Sequence, residues 1–470
     1  MHFALRIILL AAVIPNLLIG CQLLPYFSKP IDPQQSAKTL TLKSLDNPDF
    51  KAFLHKRGLS NESSGLDAWH LETLHAAALF FHTDLAVAKE KLALAEASIQ
   101  TAGQRPGIGV SGAIGRSDRA NGDINPMSYT LQIDIPFETT SKRAIKVEAA
   151  EQLAEVARMD AAEIAWNLRH QIQLDLIAFQ EQQRSLELLQ RELNSYTQLV
   201  NMFQKRVALG MGSNTELSNY QLLQQKSQIQ WRNANVKTEV LLAKLAADVG
   251  LGLPEFKRFP IALDNSEEFS FDKQATTLTV ETLQSEALIN RIDVRRALAR
   301  YAASESKLKL EVAKQIPDIS LSPSYAYEFG DRVWSLGFAT LLNALRQQPK
   351  FIKEAEQLRA VEGAQFEAVQ ASAIAQTNAA WTQYDAANVA HENAQAMLKA
   401  RLAYVQKIQK QFDAGLVDRV VLTQAQLSLH LAEQDVSTTA FALKRQYAQL
   451  ENVVQRPLNK SSTITQLNAR

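Results

Sequence analysis

The chain has 470 residues, and its 50 basic and 49 acidic side chains nearly cancel. This balance gives no reason to expect a nucleic-acid partner, which would require a basic excess on one face. With 46% hydrophobic residues and, past the first two dozen residues, no apolar run of spanning length, the chain is neither disordered by composition nor a bundle of membrane-spanning helices.

The first 20 residues predict a lipoprotein signal peptide. Arg6 supplies a basic start, residues 7–14 form a short apolar run, and Leu18-Ile19-Gly20-Cys21 follows. The run is too short for a membrane-spanning helix and is typical of a cleaved leader. The last four residues resemble a bacterial lipobox, so we expect Cys21 to carry a lipid such as palmitate as the first mature residue. An ordinary cysteine in an uncleaved leader is the alternative.

Two further features concern the segment after the lipobox. Gln22 follows the cysteine, and in lipoproteins of this type that residue favours the outer membrane. Residues 21–65 are polar with several prolines and predict an N-terminal tether. Because Cys21 is the only cysteine, neither an intrachain disulfide nor a cysteine metal cluster can form.

Six long stretches without glycine or proline predict helices. They are rich in Ala, Leu, Gln, Glu, Lys and Arg, which favour helical structure. They cover residues 67–102, 141–209, 213–249, 282–316, 364–414 and 416–456. The second stretch alone would be roughly 100 Å long as a helix. Patterns of this length indicate coiled coils or helical repeats rather than a compact domain.

Apolar residues in the second stretch follow a heptad spacing with alternating steps of three and four. They are Leu186, Leu189, Leu193, Tyr196, Val200, Phe203 and Val207. The seam ends at Gly210, where a reversal of the chain needs a residue that accepts positive φ. The spacing therefore predicts an antiparallel helical hairpin.

The same pattern recurs 205 residues later, from Gly210 to Gly415. The matching positions in the second copy are Leu398, Val405, Ile408, Phe412, Gly415, Leu422 and Leu427. This coincidence predicts a tandem repeat, with two unrelated coiled coils as the alternative. We place repeat 1 at residues 66–260, repeat 2 at residues 280–457 and a C-terminal tail at residues 458–470.

Each repeat contains one segment with the two-residue period of β-strands, at about residues 105–137 and 317–341. Strands of about ten residues with one apolar and one small polar face are typical of outer-membrane barrels. A small soluble hairpin is the alternative. Pro323 predicts a bulge or an edge position, because proline cannot donate to a ladder.

Two strand pairs give four strands per chain, which cannot close into a barrel. Open edges are not tolerated in lipid. The strands can therefore serve in a membrane only if the chain oligomerises, with eight strands in a dimer or twelve in a trimer.

These features together resemble the TolC-like family of outer-membrane efflux proteins over about residues 66–457. The motifs that carry the resemblance are Ala-Gly-Gln-Arg-Pro at 102–106, Ile-Pro-Phe-Glu-Thr at 135–139, Ser-Lys-Arg at 141–143, the run 293–301 and Trp-Ser-Leu-Gly at 334–337. In overall sequence character these motifs are similar to those of the branch that serves cation and heavy-metal exporters of the resistance-nodulation-division type.

The resemblance implies a mainly α fold with a membrane β-barrel part. It implies a homotrimer with a twelve-stranded β-barrel in the outer membrane of a Gram-negative bacterium and an α-helical barrel through the periplasm. It also implies a periplasmic adaptor protein and an inner-membrane pump as partners, the pump being of the resistance-nodulation-division type.

In the family, the two turns between the long helices form the periplasmic tip on which the adaptor docks. Here these turns are Leu209-Gly210-Met211 and Ala414-Gly415-Leu416. Family members narrow the tunnel mouth with acidic residues six and nine positions after the second turn glycine. This sequence has Val421 and Gln424 there, and Glu216 and Asn219 in repeat 1, so Glu216 is the acidic candidate for a constriction.

No motif of an enzyme is present: a Gly-rich phosphate loop, a nucleophile elbow and HExxH are all missing. We therefore expect neither catalysis nor a cofactor. His70, His75 and His82 share a predicted helix, but spacings of five and seven put them on no common ligand face, so no metal site is predicted.

Two functions remain. The first is a passive conduit, the outer-membrane channel subunit of a tripartite efflux pump. The alternative is a lipid-anchored periplasmic coiled-coil adaptor or scaffold. An adaptor usually has one helical hairpin flanked by β-rich domains, whereas this chain has two tandem hairpins and two strand pairs. The pattern favours the conduit, in which selection of the substrate lies mostly with the pump.

Overall fold

The computed structural model describes residues 26–59, 67–118, 125–262, 279–340 and 344–458. The predicted signal peptide with Cys21, and nearly all of the C-terminal tail, lie outside the described residues. The chain forms two units, Met1–Ser44 and Leu45–Arg470. In the first, helix α1 (Pro33–Thr41) begins where Asp32 accepts a hydrogen bond from the backbone amide of Gln34 at 2.9 Å.

The second unit is mainly helical, as the sequence predicts. Its helices are α2 (Pro48–Lys56), α3 (Leu71–Phe81), α4 (Thr83–Ala102), α5 (Lys142–Ala208), α6 (Asn214–Val249), α7 (Leu253–Phe256), α8 (Val280–Asn290), α9 (Ile292–Ala313), α10 (Ala344–Asp413) and α11 (Arg419–Val454). The strands are β1 (Gly109–Arg116), β2 (Met127–Phe137), β3 (Ile319–Glu328) and β4 (Asp331–Thr340). Among the described residues, no helix is long and apolar enough to cross a bilayer.

Two of the predicted helices are broken in the structure. The stretch 67–102 divides at His82 into α3 and α4, and the stretch 282–316 divides at Arg291 into α8 and α9. Both residues have extended backbone, with ψ of 131° and 129°. Any residue adopts this conformation, so no glycine or proline marks the break.

Helix α10 begins some 20 residues earlier than the sequence predicts. It continues through Pro349 and Gly363. Pro349 lies in the second turn, where the lost backbone hydrogen bond affects only the start of the helix. Gly363 packs on the ring of Tyr301, because a Cβ atom there would lie 3.6 Å from Tyr301 Cε2.

The return helices of the two hairpins have the same length, whereas the long helices α5 and α10 contain 67 and 70 residues. Helices α6 and α11 each contain 36 residues, and their bounds differ by the same 205 residues as the turn glycines. In the half of the unit that contains the turns, the helices pack in the row α6–α5–α11–α10. In the other half the row is α4–α5–α9–α10. Helix α5 is central in both rows, whereas α10 is terminal in both.

A large apolar core surrounds Trp69, which is fully buried. The Trp69 indole stacks on Phe256 at 5.1 Å, and its Nε1 donates to the Phe256 carbonyl oxygen at 2.9 Å. Gly250 has φ of 80°, and a Cβ there would approach the Phe81 carbonyl oxygen to 2.9 Å. This core fixes the end of α6 against α3 and the middle of α5.

The four described strands form one antiparallel sheet in the order β1-β2-β3-β4. Proline at position 323 lies in an interior strand, so the predicted edge position is wrong. The register between β2 and β3 is the same on both sides of Pro323, so the predicted bulge is absent as well. The ladder lacks only the pairs opposite Pro323 and Ser322. The Ser322 hydroxyl donates to Asp134 Oδ1 at 2.6 Å and bridges this interruption.

Candidate functional site

One face of the sheet is apolar. Cross-strand partners and strand alternation place on it Val110, Ile114, Leu131, Ile133, Ile135, Leu321, Tyr325, Trp334, Leu336 and Phe338. The rings of Tyr325 and Trp334, which are direct partners, lie 4.7 Å apart. Trp334 and Phe338 are each 79% exposed in the single chain. A contiguous apolar surface of this kind indicates contact with a lipid or protein partner.

The opposite face carries small and polar side chains. They are Ser111, Ala113, Thr130, Gln132, Asp134, Ser320, Ser322, Ser324, Ser335 and Ala339. Asp134 Oδ1 accepts from Gln132 Nε2 at 2.7 Å, and Ser324 and Ser335 are joined at 2.7 Å. The two faces thus differ as the wall of a membrane barrel requires.

The junction between the sheet and α5 depends on a buried lysine. Lys142 is 4% exposed, and its Nζ donates to Asp318 Oδ1 at 2.7 Å, to the Ile316 carbonyl at 2.6 Å and to Thr139 Oγ1 at 3.1 Å. The chain turns from β2 into α5 through Thr140 and Ser141, which have φ of 57° and 56°. Positive φ is unfavourable for a β-branched residue, so surrounding contacts must hold the turn. The hydrogen bonds of Lys142 and Thr139 to the start of β3 provide them.

The two turns between the long helices, which we call the tips, are alike in detail. Gly210 and Gly415 have φ of 71° and 72°. The amide of Gly210 donates to the Val207 carbonyl, and that of Met211 to the Arg206 carbonyl; repeat 2 has the equivalent pair of hydrogen bonds. This is the Schellman arrangement, in which a glycine ends a helix.

Apolar side chains surround both tips. Leu209, Met211 and Leu416 are 69%, 71% and 75% exposed, and Ala414 is exposed beside them. Each glycine is explained by its position at the end of a helix. The exposed side chains beside it form an apolar surface that nothing covers in the single chain. That this surface binds an adaptor stays a prediction.

Two contacts that the sequence did not reveal join the tips of the two repeats. The guanidinium of Arg206 pairs with Asp418, which also caps α11 by accepting from the Val421 amide at 3.0 Å. Gln424 Nε2 donates to the Tyr220 hydroxyl at 2.7 Å, and the Tyr220 ring stacks on Phe203 at 4.8 Å.

The positions expected to form a constriction have separate surroundings. Gln424 is hydrogen-bonded to Tyr220, and Val421 packs in a cluster with Ile408 and Leu422. Glu216 is exposed in the first turn of α6, where a carboxylate interacts favourably with the helix N-terminus. Its role as a constriction stays a prediction.

A second polar cluster lies between α5 and α6. Asp175, which is 5% exposed, accepts from Lys244 Nζ at 2.7 Å and from Gln171 Nε2 at 2.8 Å. Burial and the adjacent Asp175 raise the pKa of Asp248 to about 7. Burial alone would raise the pKa of Asp175 as well, but hydrogen bonds from Asp248, Lys244 and Gln171 lower it. The pair therefore shares a proton near neutral pH.

The three histidines of the predicted helix do not come together as ligands. His75 is buried, and its pKa falls to about 4 because of burial and the nearby charges of Arg169 and Arg57. His82 caps α4 by accepting from the Asp84 amide at 3.3 Å. No group of three metal-ligating side chains occurs within the described ranges.

Residues 78–250 match the outer membrane efflux protein family. Solved structures with a similar fold include VceC from Vibrio cholerae, with 17% identity, a TM-score of 0.65 and coverage of 83% of this chain and 97% of that one. A membrane protein from Pseudomonas aeruginosa has 16% identity, a TM-score of 0.67 and coverage of 92% and 100%. The open state of the MtrE channel from Neisseria gonorrhoeae has 15% identity, a TM-score of 0.65 and coverage of 93% and 98%. No curated protein sequence matches the chain.

The fold of this chain is similar to that of these outer-membrane channels over both repeats. The sequence match to the outer membrane efflux protein family covers residues 78–250, which lie in repeat 1. The resemblance stated from the sequence is thereby confirmed at the level of the family. Such proteins are channels and not enzymes. The family match speaks against the alternative of a periplasmic adaptor or scaffold.

Proposed function

We propose that this chain is the outer-membrane channel subunit of a tripartite efflux system and a passive conduit across the periplasm and the outer membrane. The observation that carries the proposal is the two-faced sheet joined to two helical hairpins with return helices of equal length. A strand of ten residues spans about 34 Å, or roughly 24 Å when tilted by about 45°. That length matches the apolar band of outer-membrane barrels, about 25 Å.

Two open edges support an assembly of several chains. Strands β1 and β4 are the terminal strands of the sheet, and α10 continues from the β4 edge. Terminal helix α6 carries an apolar heptad stripe of Leu222, Ile229 and Val236, which are 59–66% exposed. Apolar residues at this spacing typically pack against another helix. Leu222 is thus available to a neighbouring chain.

The opposite edge offers a partner for that stripe. Helix α10 exposes Val389, Met397, Leu402 and Tyr404. Joining the α6 edge of one copy to the α10 edge of the next, and β1 to β4, gives a head-to-tail contact that closes as a ring. The resemblance to TolC-like proteins supports three copies, and hence a homotrimer with a twelve-stranded β-barrel and an α-helical barrel. Residues 66–260 and 280–457 would then be the repeats of its wall.

The tips supply the surface for the partners. An adaptor of complementary apolar surface would dock on Leu209, Met211 and Leu416, which are exposed beside the turn glycines. The channel has no motif for using energy, so an inner-membrane pump must drive export. A pump of the resistance-nodulation-division type is the expected partner, and the identities of 13–17% to the solved channels do not separate the metal-exporting branch from the others.

Conductance and assembly test the proposal together. Purified full-length protein in detergent should have the mass of three chains, and should produce discrete conductance steps in a planar bilayer. A stable single chain, or a trimer that never conducts, would contradict it.

The lipid anchor is a separate part of the proposal, with residues 1–20 as signal peptide and residues 21–65 as tether. Cys21→Ala should abolish labelling by radioactive palmitate and leave a heavier, uncleaved precursor. Recovery of residues 1–20 in the wild-type protein by mass spectrometry would show that no such processing occurs.

A further inference from the structure

The polar face of the sheet has charges of one sign. Among the described strand residues, Asp134, Glu328 and Asp331 lie on this face by their cross-strand pairing. The two arginines of the strands, Arg116 and Arg332, fall on the apolar face at the strand ends. Glu328 and Asp331 also lie at strand ends, beside the β3–β4 turn, so Asp134 is the charge that lies within the span.

Asp134 is only partly covered by its neighbours in the sheet. Its partner on β1 is Gly109, and on β3 the position opposite is Ser322, whose own partner on β4 is Gly337. Gln132 and Ser322 donate to the same oxygen, Oδ1, at 2.7 and 2.6 Å. These bonds fix the direction of the carboxylate and leave its second oxygen, Oδ2, to whatever fills the space beside this face.

A carboxylate at membrane depth requires water or a partner cation. Because Asp134 shares a face with small and polar side chains and lies opposite the apolar face, the barrel of the proposed function would place it against the water-filled lumen. Three copies then form a ring of negative charge, and rings of carboxylates favour cations over anions in pores. We propose that Asp134 gives the lumen of this channel its preference for cations. The inference rests on the proposed function.

Salt concentration determines how far such a ring acts. The Debye length is about 8 Å at 0.15 M and about 30 Å at 0.01 M ionic strength. In a wide lumen the three charges therefore influence the whole cross-section only at low salt. We expect cation preference to decline as salt rises, and the part that Asp134 contributes to decline with it.

The test is the reversal potential of full-length channels in a planar bilayer under a tenfold KCl gradient, with the dilute side at about 0.01 M. Wild-type channels should reverse on the cation-selective side. Asp134→Asn should shift the reversal potential toward zero, whereas Asp134→Glu, which keeps the charge, should leave it near the wild-type value. Thr130→Glu adds a second carboxylate to the same face, between Ala113 and Ala326 and away from Asp134, and should shift it in the opposite direction.

The result separates this inference from the proposed function. Conductance with an unchanged reversal potential in both Asp134→Asn and Thr130→Glu would overturn the role of Asp134 and leave the channel intact as a conduit. If Asp134→Asn fails to insert, Thr130→Glu still decides the question, since an unchanged potential overturns the inference and a more cation-selective one supports it. Absence of any conductance in the wild-type protein would overturn both proposals.

Discussion

The side-chain amide of Gln424 in repeat 2 lies 2.7 Å from the hydroxyl of Tyr220 in repeat 1, and this hydrogen bond joins the two hairpins close to their tips. The ring of Tyr220 stacks on Phe203 of its own repeat. The bond can therefore be removed without removing the packing. Tyr220→Phe should keep the stacked ring and lose the hydroxyl, with a loss of about 1 kcal/mol or less, since the pair is partly exposed.

A double-mutant cycle measures this contact. Tyr220→Phe and Gln424→Ala should be non-additive in the free energy of unfolding, because both remove the same bond. Amide hydrogen exchange near residues 206–224 should become faster in either variant. Additive effects would mean that the two side chains do not interact in solution.

In the second contact between the tips, Asp418 both pairs with Arg206 and caps α11. Substitution of Asp418 should therefore cost more stability than substitution of Arg206. Arg206→Ala removes a partly exposed ion pair, which contributes about 0–1 kcal/mol, and the contact of the guanidinium with the Phe203 ring at 5.8 Å. Asp418→Ala also removes the cap of α11, worth typically about 1 kcal/mol more. Chemical denaturation of both variants checks the order. Equal losses would show that the cap contributes nothing, and Asp418→Asn, which retains a capping oxygen, is the matched control.

The tip glycines should be sensitive to β-branched residues because of the backbone alone. A Cβ at Gly210 or Gly415 would meet no atom within 4 Å, so strain comes from φ of about 70° and not from a clash. Gly210→Val and Gly415→Val should each cost about 1–2 kcal/mol locally. Asn at either position should cost less, because it accepts this conformation more readily.

The measurement for these variants distinguishes docking from folding. Trimer level in the outer membrane should stay normal, since the tips lie at the far ends of α5 and α10 from the strands, while efflux and crosslinking to the adaptor should fall. Full efflux with both valines in place would contradict a docking role for the tips.

The two faces of the sheet predict opposite responses to charge. Leu131→Arg places a cation on the apolar face and should destabilise the inserted barrel by about 2–4 kcal/mol near the bilayer midplane. Thr130→Arg, one residue away on the polar face, should be tolerated much better. Heat-stability of the trimer on a gel reports both variants. Equal tolerance would mean that the apolar face does not contact lipid.

The carboxylate pair between α5 and α6 predicts a dependence of stability on pH. The pKa of Asp248 is raised to about 7 in the folded protein by burial and by Asp175, from an ordinary value of 3.8. The folded state therefore holds this proton more tightly than the unfolded state does. The resulting stabilisation is complete below about pH 4 and is lost as pH rises through 7.

Asp248→Asn removes this titration and mimics the protonated form. The variant should gain in melting temperature over wild type as pH rises from 5 to 8, and the gap should level off above the pKa of Asp248. Asp67→Asn, a change at an exposed carboxylate, is the control and should show no such trend. A constant difference between Asp248→Asn and wild type across this range would contradict the shared proton.

Local signals in the sequence were sufficient for the long helices, the turn glycines and the two-residue period of the strands. The heptad from Leu186 to Val207 lies on the covered side of α5, as its spacing predicts. The breaks at His82 and Arg291 carried no such signal, because extended backbone suits any residue. The early start of α10 was hidden by Pro349, whose effect is small near a helix end.

The polar contacts were beyond prediction from one sequence for a different reason. Arg206 and Asp418 are separated by 212 residues, and Asp175 and Lys244 by 69. Only packing between elements brings them together, and charged residues are ordinary on helices of this composition. Pro323 misled the prediction because a side-chain bridge from Ser322 to Asp134 compensates for the pairs that are missing from the ladder.

The junction at Lys142 has a mechanical consequence. Its ammonium group lies at the first turn of α5 and donates hydrogen bonds to the start of β3, which belongs to the other repeat. The constrained turn through Thr140 and Ser141 connects β2 rigidly to the same helix. Rotation of α5 about its axis is therefore transmitted at once to two adjacent strands, so the sheet and the helices turn as a single piece.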